Sequence, residues 1–369
     1  RLSLAAAPDS IGPDSIGPVR EPPPLLPIIA DVTNWNRMRG LLREHRPEIV
    51  FHCADYKHVP LMEDNPVEAV QTNILGTLAV ARLASEFGAE RFILVSTDKA
   101  ACPVNVMGAS KRVAEFLMLA LARDAVVDVP DAARIAPLSA GLFAPHPAPP
   151  DPVREPPAHT RFAGVRFGNV LGSRGSLVPI LERQIAAGGP VTITDARMRR
   201  YFMSIPEAVS LVIQAAAYAA GGEIFVLDMG DEIYIQDLVQ RLIRLRGLRI
   251  GKDVPVVYTG ARPGEKLFEV LHCPVHERPL PTRHAAMTCL SNHLDLSTDR
   301  LMDDVARLAT LARDGDEAAL RDHLFRTARL FCPAGCVDYE APIAPATPIA
   351  PAQADCAAPH ACAETRPGL

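Results

Sequence analysis

A hydroxyl, a carboxyl and an amine stand in succession at Thr97, Asp98 and Lys99, with a second hydroxyl just ahead at Ser96. Such groups hold, give or take protons, so the cluster suits general acid–base chemistry on a hydroxylated or carbonyl substrate. A second pair follows at Met107 and Lys111, one helical turn apart and therefore on a common face. The residues before the cluster, Phe92-Ile93-Leu94-Val95, are uninterruptedly apolar and predict a strand buried on both faces. In an open parallel sheet, ligands bind beyond the carboxyl ends of the strands, so polar residues at this strand's end are placed for chemistry. A turn at Pro103 leads into the helix that carries Met107 and Lys111.

The rest of the chain supplies the frame. At 369 residues with 48% hydrophobic content it has material for one large or two modest domains around a real core. The net charge of −5 and the lack of a basic block exclude a nucleic-acid partner. The longest apolar runs fall short of the ~20 residues that span a bilayer. The N-terminal stretch has no continuous apolar core of the secretory type. The eight cysteines are scattered and predict free thiols. Cys332, Cys336, Cys356, His360 and Cys362 match no standard zinc spacing, and no metal is expected.

Residues 1–24, with the repeated segment PDSIGPDSIGP, are expected to be a disordered tail. Leu25 to Ile29 predicts a strand, followed by Asp31-Val32 and a helix over Trp35 to His45. Pro47 to His52 predicts a buried strand. Asn65-Pro66 reads as a capped helix start, and apolar residues from Val67 to Leu83 keep helical spacing up to Gly88. A Pro/Ala-rich insertion covers 126–160. The chain resumes with a strand at Arg161 to Val165, a helix at Leu177 to Ala187, a strand at Val191 to Thr194, a helix from Pro206 and a strand at Ile224 to Leu227. A helix at Ile235 to Leu245, a strand at Val254 to Tyr258, helical sequence over 295–330 and a low-complexity tail at 331–369 complete it.

Six motifs carry a family resemblance: KHVPLMEDNP (Lys57 to Pro66), STDKA (Ser96 to Ala100), NVMGASK (Asn105 to Lys111), RFGNVLGSRGS (Arg166 to Ser176), RRYFMSIPEA (Arg199 to Ala208) and RPGEKLFE (Arg262 to Glu269). In this order the chain resembles the nucleotide-sugar 4,6-dehydratases of capsule, O-antigen and glycan biosynthesis, which are extended short-chain dehydrogenase/reductases. The resemblance implies an α/β fold, a Rossmann-like doubly wound parallel sheet with a smaller C-terminal substrate domain. No glycine-rich strand–turn–helix appears before Asp31, so the first βα unit is expected to be absent. Residues 25–175 then form a truncated NAD-binding domain, and 176–330 mainly the nucleotide-sugar part.

The same resemblance implies roles for residues. Thr97 would bind the C4 oxygen of a hexose, Asp98 act as acid at C6 and Lys99 as base at C5. Lys111 would hold the nicotinamide ribose and lower nearby pKa values by its charge. NAD is the implied cofactor, with Asp31, Val32, Ala54, Asn73 and Lys111 around it; helix capping remains an alternative for Asp31 and an ordinary buried amide for Asn73. Asp55 and Tyr56 are bulkier and more polar than the small residues of the family pattern. Lys57, Asn169, Arg174, Arg200, Arg262 and Glu265 are the implied nucleotide-sugar contacts, the guanidinium groups suiting phosphate oxygens.

Met107 stands where most short-chain dehydrogenases have tyrosine, and a thioether cannot take a proton. The membrane-attached branch of these dehydratases is similar to this chain at NVMGASK, methionine included. This implies UDP-N-acetylglucosamine as substrate, with the C4 proton relayed through Thr97, water or a neighbouring carboxylate. It further implies a homo-oligomer that is cytoplasmic or the cytoplasmic domain of a membrane protein, relatives being attached through an N-terminal region absent here. The alternatives are a catalytically impaired fragment that binds nucleotide sugar only, and a nucleotide-sugar 4-epimerase, which needs no acid at C6.

Overall fold

The structure, a computed structural model, describes residues 25–123, 159–292 and 297–330, apart from Arg174 and Pro263. The expected tails at 1–24 and 331–369, with the cysteines of the latter, and nearly all of the insertion lie outside the described residues.

Helix α1 (Trp35–His45) leads to β1 (Ile49–His52). Short helices α2 (Val59–Asp64) and α3 (Pro66–Ala69) run into a π-helical stretch, Val70–Gly76, and then α4 (Thr77–Glu86). Strand β2 (Arg91–Val95), a 3-10 turn (Asp98–Ala100), α5 (Val106–Arg123) and β3 (Arg161–Arg166) follow. The chain continues through β4 (Asn169–Val170), α6 (Leu177–Ala186), β5 (Val191–Ile193), β6 (Arg199–Arg200), β7 (Phe202–Met203), α7 (Ile205–Tyr218), β8 (Glu223–Leu227), β9 (Ile233–Tyr234), α8 (Ile235–Leu245) and β10 (Val256–Tyr258). The hairpin β11 (Glu277–Pro281) and β12 (Met287–Asn292) precedes α9 (Thr298–Asp314) and α10 (Glu317–Arg329).

The main sheet has the order β1-β2-β3-β8-β12-β11. β1, β2, β3 and β8 are parallel, whereas β12 and β11 are antiparallel, so the expected parallel sheet is completed by a hairpin at one edge. The apolar strands β2 and β3 lie centrally because both of their faces are covered. On one face lie the π-helical stretch, α4 and α5, backed by α9 and α10; Ile74, Phe92, Phe116, Leu301 and Leu324 belong to this core. On the other face α7 packs Leu211 and Ala215 against Ile93 and Val165. A third core, built on Leu181, Val191, Val239 and Ile243, joins α6, β5 and α8 into a smaller lobe. Residues 176–330 thus contribute both to this lobe and to the main sheet and its helical layers.

Three local expectations are corrected. The strand expected over Pro47 to His52 forms as β1 but is not buried: it lies at the edge of the sheet, with Ile49 and Phe51 exposed and only His52 fully covered. Leu25 to Ile29 forms no strand: the segment is irregular, with Leu25 and Ile29 exposed. Apolar sequence makes a strand only where a ladder partner exists, and the free edge of β1 is not met by this segment. Asn65 does not cap α3 with its side chain, which donates instead to the Leu61 carbonyl at 2.8 Å.

Candidate active site

A cavity of about 360 Å³ opens beyond the carboxyl ends of β2 and β3. Ser96, Thr97, Lys99, Met107, Lys57 and Asn169 are among the residues that line it. Strand β2 ends at Val95, and Thr97 caps the 3-10 turn that follows, which swings Asp98 and Lys99 to one side. Glycine keeps this turn close to α5, since a Cβ on Gly108 would sit 2.4 Å from the Lys99 carbonyl oxygen. Asn105 begins α5 by accepting from the Gly108 amide at 2.7 Å, and its amide group donates to the Gly264 carbonyl at 2.8 Å.

The three polar side chains of this turn are joined. Thr97 Oγ1 donates to Asp98 Oδ1 at 2.8 Å, and Lys99 Nζ donates to the same oxygen at 2.9 Å. Asp98 is fully buried just behind the cavity wall, and its Oδ2 has no hydrogen-bond partner among the described residues. Gly168 leaves room beside that oxygen, because a Cβ there would approach Oδ2 to 3.2 Å. Lys99 also faces Glu269 Oε1 at 3.6 Å. Burial works to lower the Lys99 ammonium, but the carboxylates of Asp98 and Glu269 outweigh it and hold the group above its ordinary range.

Lys111 projects from α5 toward the end of β2. It donates to the Val95 carbonyl at 2.6 Å and pairs with Asp55 at 3.0 Å. Asp55 belongs to the loop after β1, whose course is fixed by Asn73. The Asn73 amide accepts from the Tyr56 amide at 2.8 Å and donates to the Tyr56 carbonyl at 3.1 Å and to Ser110 Oγ at 3.0 Å. Asn73 sits in the π-helical stretch, a departure from regular helix of the kind often found at functional sites.

The predicted residues therefore fall into groups. Thr97, Lys99, Met107, Lys57 and Asn169 line the cavity, with Asp98 behind them and Lys111 beside them; Lys57 Nζ donates to Ser173 Oγ at 3.3 Å. Asp31 is exposed and accepts from the Thr33 amide and hydroxyl, both at 2.8 Å, while Asn34 caps α1. Val32 packs against Gly76, and Ala54 is exposed. Arg200 and Glu265 are not part of the cavity lining: the Arg200 guanidinium is committed to the carbonyls of Arg199, Lys266 and Leu267. Arg262 is exposed, and Arg174 lies outside the described residues.

The sequence reading missed a layer of carboxylates beneath these groups. Arg166 at the end of β3 pairs with Glu115 at 2.6 Å and Glu277 at 2.9 Å, all three fully buried. Arg112 bridges the same two carboxylates at 3.1 and 2.5 Å. Ser96 Oγ donates to Glu115 at 2.6 Å, which ties the network to the reactive turn. Glu63, inside KHVPLMEDNP, accepts from the Val106 amide at 2.6 Å and so fixes the start of α5. In sequence, such residues are single charges, and only an unpaired burial cost would have singled them out.

This sheet, with a polar cluster at its carboxyl edge, defines an α/β protein of the Rossmann-like short-chain dehydrogenase/reductase fold. The chain belongs to the polysaccharide biosynthesis protein family, whose pattern it matches over residues 22–288. It is 47% identical over 246 residues to the capsular polysaccharide biosynthesis protein CapD of Staphylococcus aureus, covering 67% of this chain and 36% of that protein. A UDP-glucose 4-epimerase of Rickettsia bellii is 35% identical over 243 residues, 66% of this chain and 60% of that protein. A UDP-N-acetylglucosamine 4,6-dehydratase (inverting) of Campylobacter jejuni is 33% identical over 244 residues, 66% and 61% respectively. The chain thus spans about a third of the length of CapD and under two thirds of the other two. Among solved structures, Pen from Bacillus thuringiensis aligns with a TM-score of 0.56 at 30% identity, covering 77% of this chain and 81% of that one. Among the described residues, no helix is long and apolar enough to cross a membrane.

Proposed function

We propose that the chain is the catalytic part of a nucleotide-sugar 4,6-dehydratase acting on UDP-N-acetylglucosamine in surface polysaccharide or glycan biosynthesis. The observation that carries this reading is the ion pair of Lys99 and Asp98 at 2.9 Å, hydrogen-bonded to Thr97 at a strand end that opens on the cavity. Loss of water across C5–C6 of a hexose needs a base at one carbon and an acid at the next. One proton hop from the Lys99 ammonium to the Asp98 carboxylate creates both at once: an amine and a carboxylic acid.

The residues present fit the nicotinamide end of NAD. The Lys111 ammonium has three donors and spends two of them on Val95 and Asp55, which leaves one for a ribose hydroxyl. Ala54 and Asn73 would flank the same end. The amides that would hold a pyrophosphate are not among the described residues. When bound, NAD supplies a hydride acceptor for C4 and the hydride that returns to C6. The C4 hydroxyl proton leaves through Thr97 to water. Lys99 then takes the C5 proton, now alpha to a carbonyl, while Asp98 protonates the departing C6 hydroxyl, which restores the ion pair. Lys99 returns a proton to C5 at the end, and the proton released from C4 restores the resting charge. Met107, which titrates nothing, lines the cavity as an apolar wall.

The reading is tested with Asp98→Asn and Lys99→Ala, assayed with NAD beside the parent chain. Both are expected to lose product formation by about two orders of magnitude or more, the usual worth of a general acid or base, while keeping nucleotide-sugar affinity. Turnover at the parent rate would remove the assignment. The similarity to epimerases favours a second reading, 4-epimerisation, which predicts a C4 epimer and insensitivity of turnover to the loss of the C6 acid.

A further inference from the structure

Glu269 ends the RPGEKLFE motif, and the proposed chemistry gives it no part. Its side chain is buried, yet it is not neutralised by a single close partner. Oε1 lies 3.6 Å from Lys99 Nζ and 3.8 Å from Arg200 Nε, and Oε2 has no hydrogen-bond partner among the described residues. A buried carboxylate without tight pairing is costly and persists where its charge acts on a neighbour. The neighbour here is Lys99, whose other carboxylate contact is Asp98 at 2.9 Å. Arg200 is held by three backbone carbonyls of β6 and the 266–267 segment and cannot swing away, so its charge stays 3.8 Å from Glu269 Oε1 without a hydrogen bond between them.

We propose that Glu269 is a positioning residue: facing the immobile Arg200, it anchors the Lys99 ammonium beside Asp98 and thereby sets when Lys99 is free to take a proton. The groups that face Lys99 are Asp98 on its own turn, Glu269 and Lys266 from the motif loop, and Arg200 from β6. The two carboxylates favour the ammonium; Arg200 and Lys266 oppose it. In the resting site both carboxylates stabilise the positive charge on Lys99; once the hop has neutralised Lys99 and Asp98 together, Glu269 is the negative charge left beside the amine and favours its taking a proton. With its charge gone, the free amine would form at lower pH. The meaning of this device rests on Lys99 being the C5 base, but the coupling between the two side chains does not.

The test therefore reads Lys99 directly, without substrate or cofactor. The full chain is trace-labelled with acetic anhydride from about pH 8 to about pH 12, spanning the ordinary lysine range, and the peptide containing Lys99 is quantified by mass spectrometry, with an added unstructured lysine peptide as internal reference. The parent is expected to titrate above the reference. Glu269→Gln should lower the Lys99 midpoint by about one pH unit or more, a tenfold gain in reactivity at fixed pH, as loss of an opposite charge at this range does. Glu269→Asp, which keeps the charge, should recover most of the parent midpoint. An unmoved midpoint in Glu269→Gln overturns the proposal. So does an equal shift in the Gln and Asp variants, which would mark a packing role only. If the Gln variant unfolds, all its lysines react like the reference, and Glu269→Met, which removes the charge without leaving a buried amide to satisfy, takes its place: a lowered midpoint supports the coupling and an unmoved one rejects it. A positive result with no turnover would leave the coupling standing while the dehydratase reading falls.

Discussion

Lys111 and Asp55 form a salt bridge of 3.0 Å across the mouth of β2, the lysine almost wholly buried and the aspartate partly exposed. The pairing ties the loop after β1 to helix α5. Asp55→Asn removes one charge and keeps the shape. Stability at neutral pH should fall by about 1–3 kcal/mol, the cost of leaving a buried donor unsatisfied, and less than a fully buried ion pair because Asp55 is partly exposed. Urea denaturation measures it; an unchanged midpoint would mean that the Val95 carbonyl alone satisfies Lys111.

His52 is the neighbour of this pair. It is buried, hydrogen-bonds Thr77 Oγ1 at 2.9 Å, and is lowered to about 4, first by burial and then by the Lys111 charge, with Asp55 pulling the other way. The unfolded chain binds a proton near the ordinary value of 6.5 and the folded chain does not. Stability is therefore constant above that value and falls as pH drops from 6.5 toward 4. The loss from this group amounts to about 3 kcal/mol at most. Denaturation as a function of pH should show this slope in the parent and a flatter one in His52→Gln.

The four buried charges of Arg112, Glu115, Arg166 and Glu277 should be intolerant of single deletions. Burial works to raise Glu277, but Arg166 and Arg112 overcome it and hold the carboxyl far below the ordinary glutamate range. Its contribution is thus present above that ordinary value and lost as acid drives protonation. Glu277→Gln leaves two buried guanidinium groups sharing one carboxylate and should cost about 3–5 kcal/mol. Loss of cooperative unfolding is the readout, and a variant as stable as the parent would show that the network is dispensable.

Much of the frame was legible in the sequence. Helical periodicity gave α1, α4, α5 and α8, and apolar runs gave β1, β2, β3 and β8, because each element buries a face whose spacing is written locally. The hairpin β11–β12 was not legible: Glu277 to Pro281 contains two prolines and reads as a loop, yet it serves as an edge strand, where missing amide donors are tolerated. The reactive turn was read as a cluster because its residues are adjacent. Asp55, Glu115, Glu269 and Glu277 were not, because each reaches its partner only through the topology of the sheet.

The most direct measurement is proton NMR of UDP-N-acetylglucosamine incubated with the chain and NAD in deuterated water. The account predicts a 4-keto-6-deoxy product that carries solvent deuterium at C5, formed by the parent and not by Lys99→Ala. A C4 epimer that retains its C5 hydrogen, or saturating nucleotide-sugar binding with no product, would contradict it.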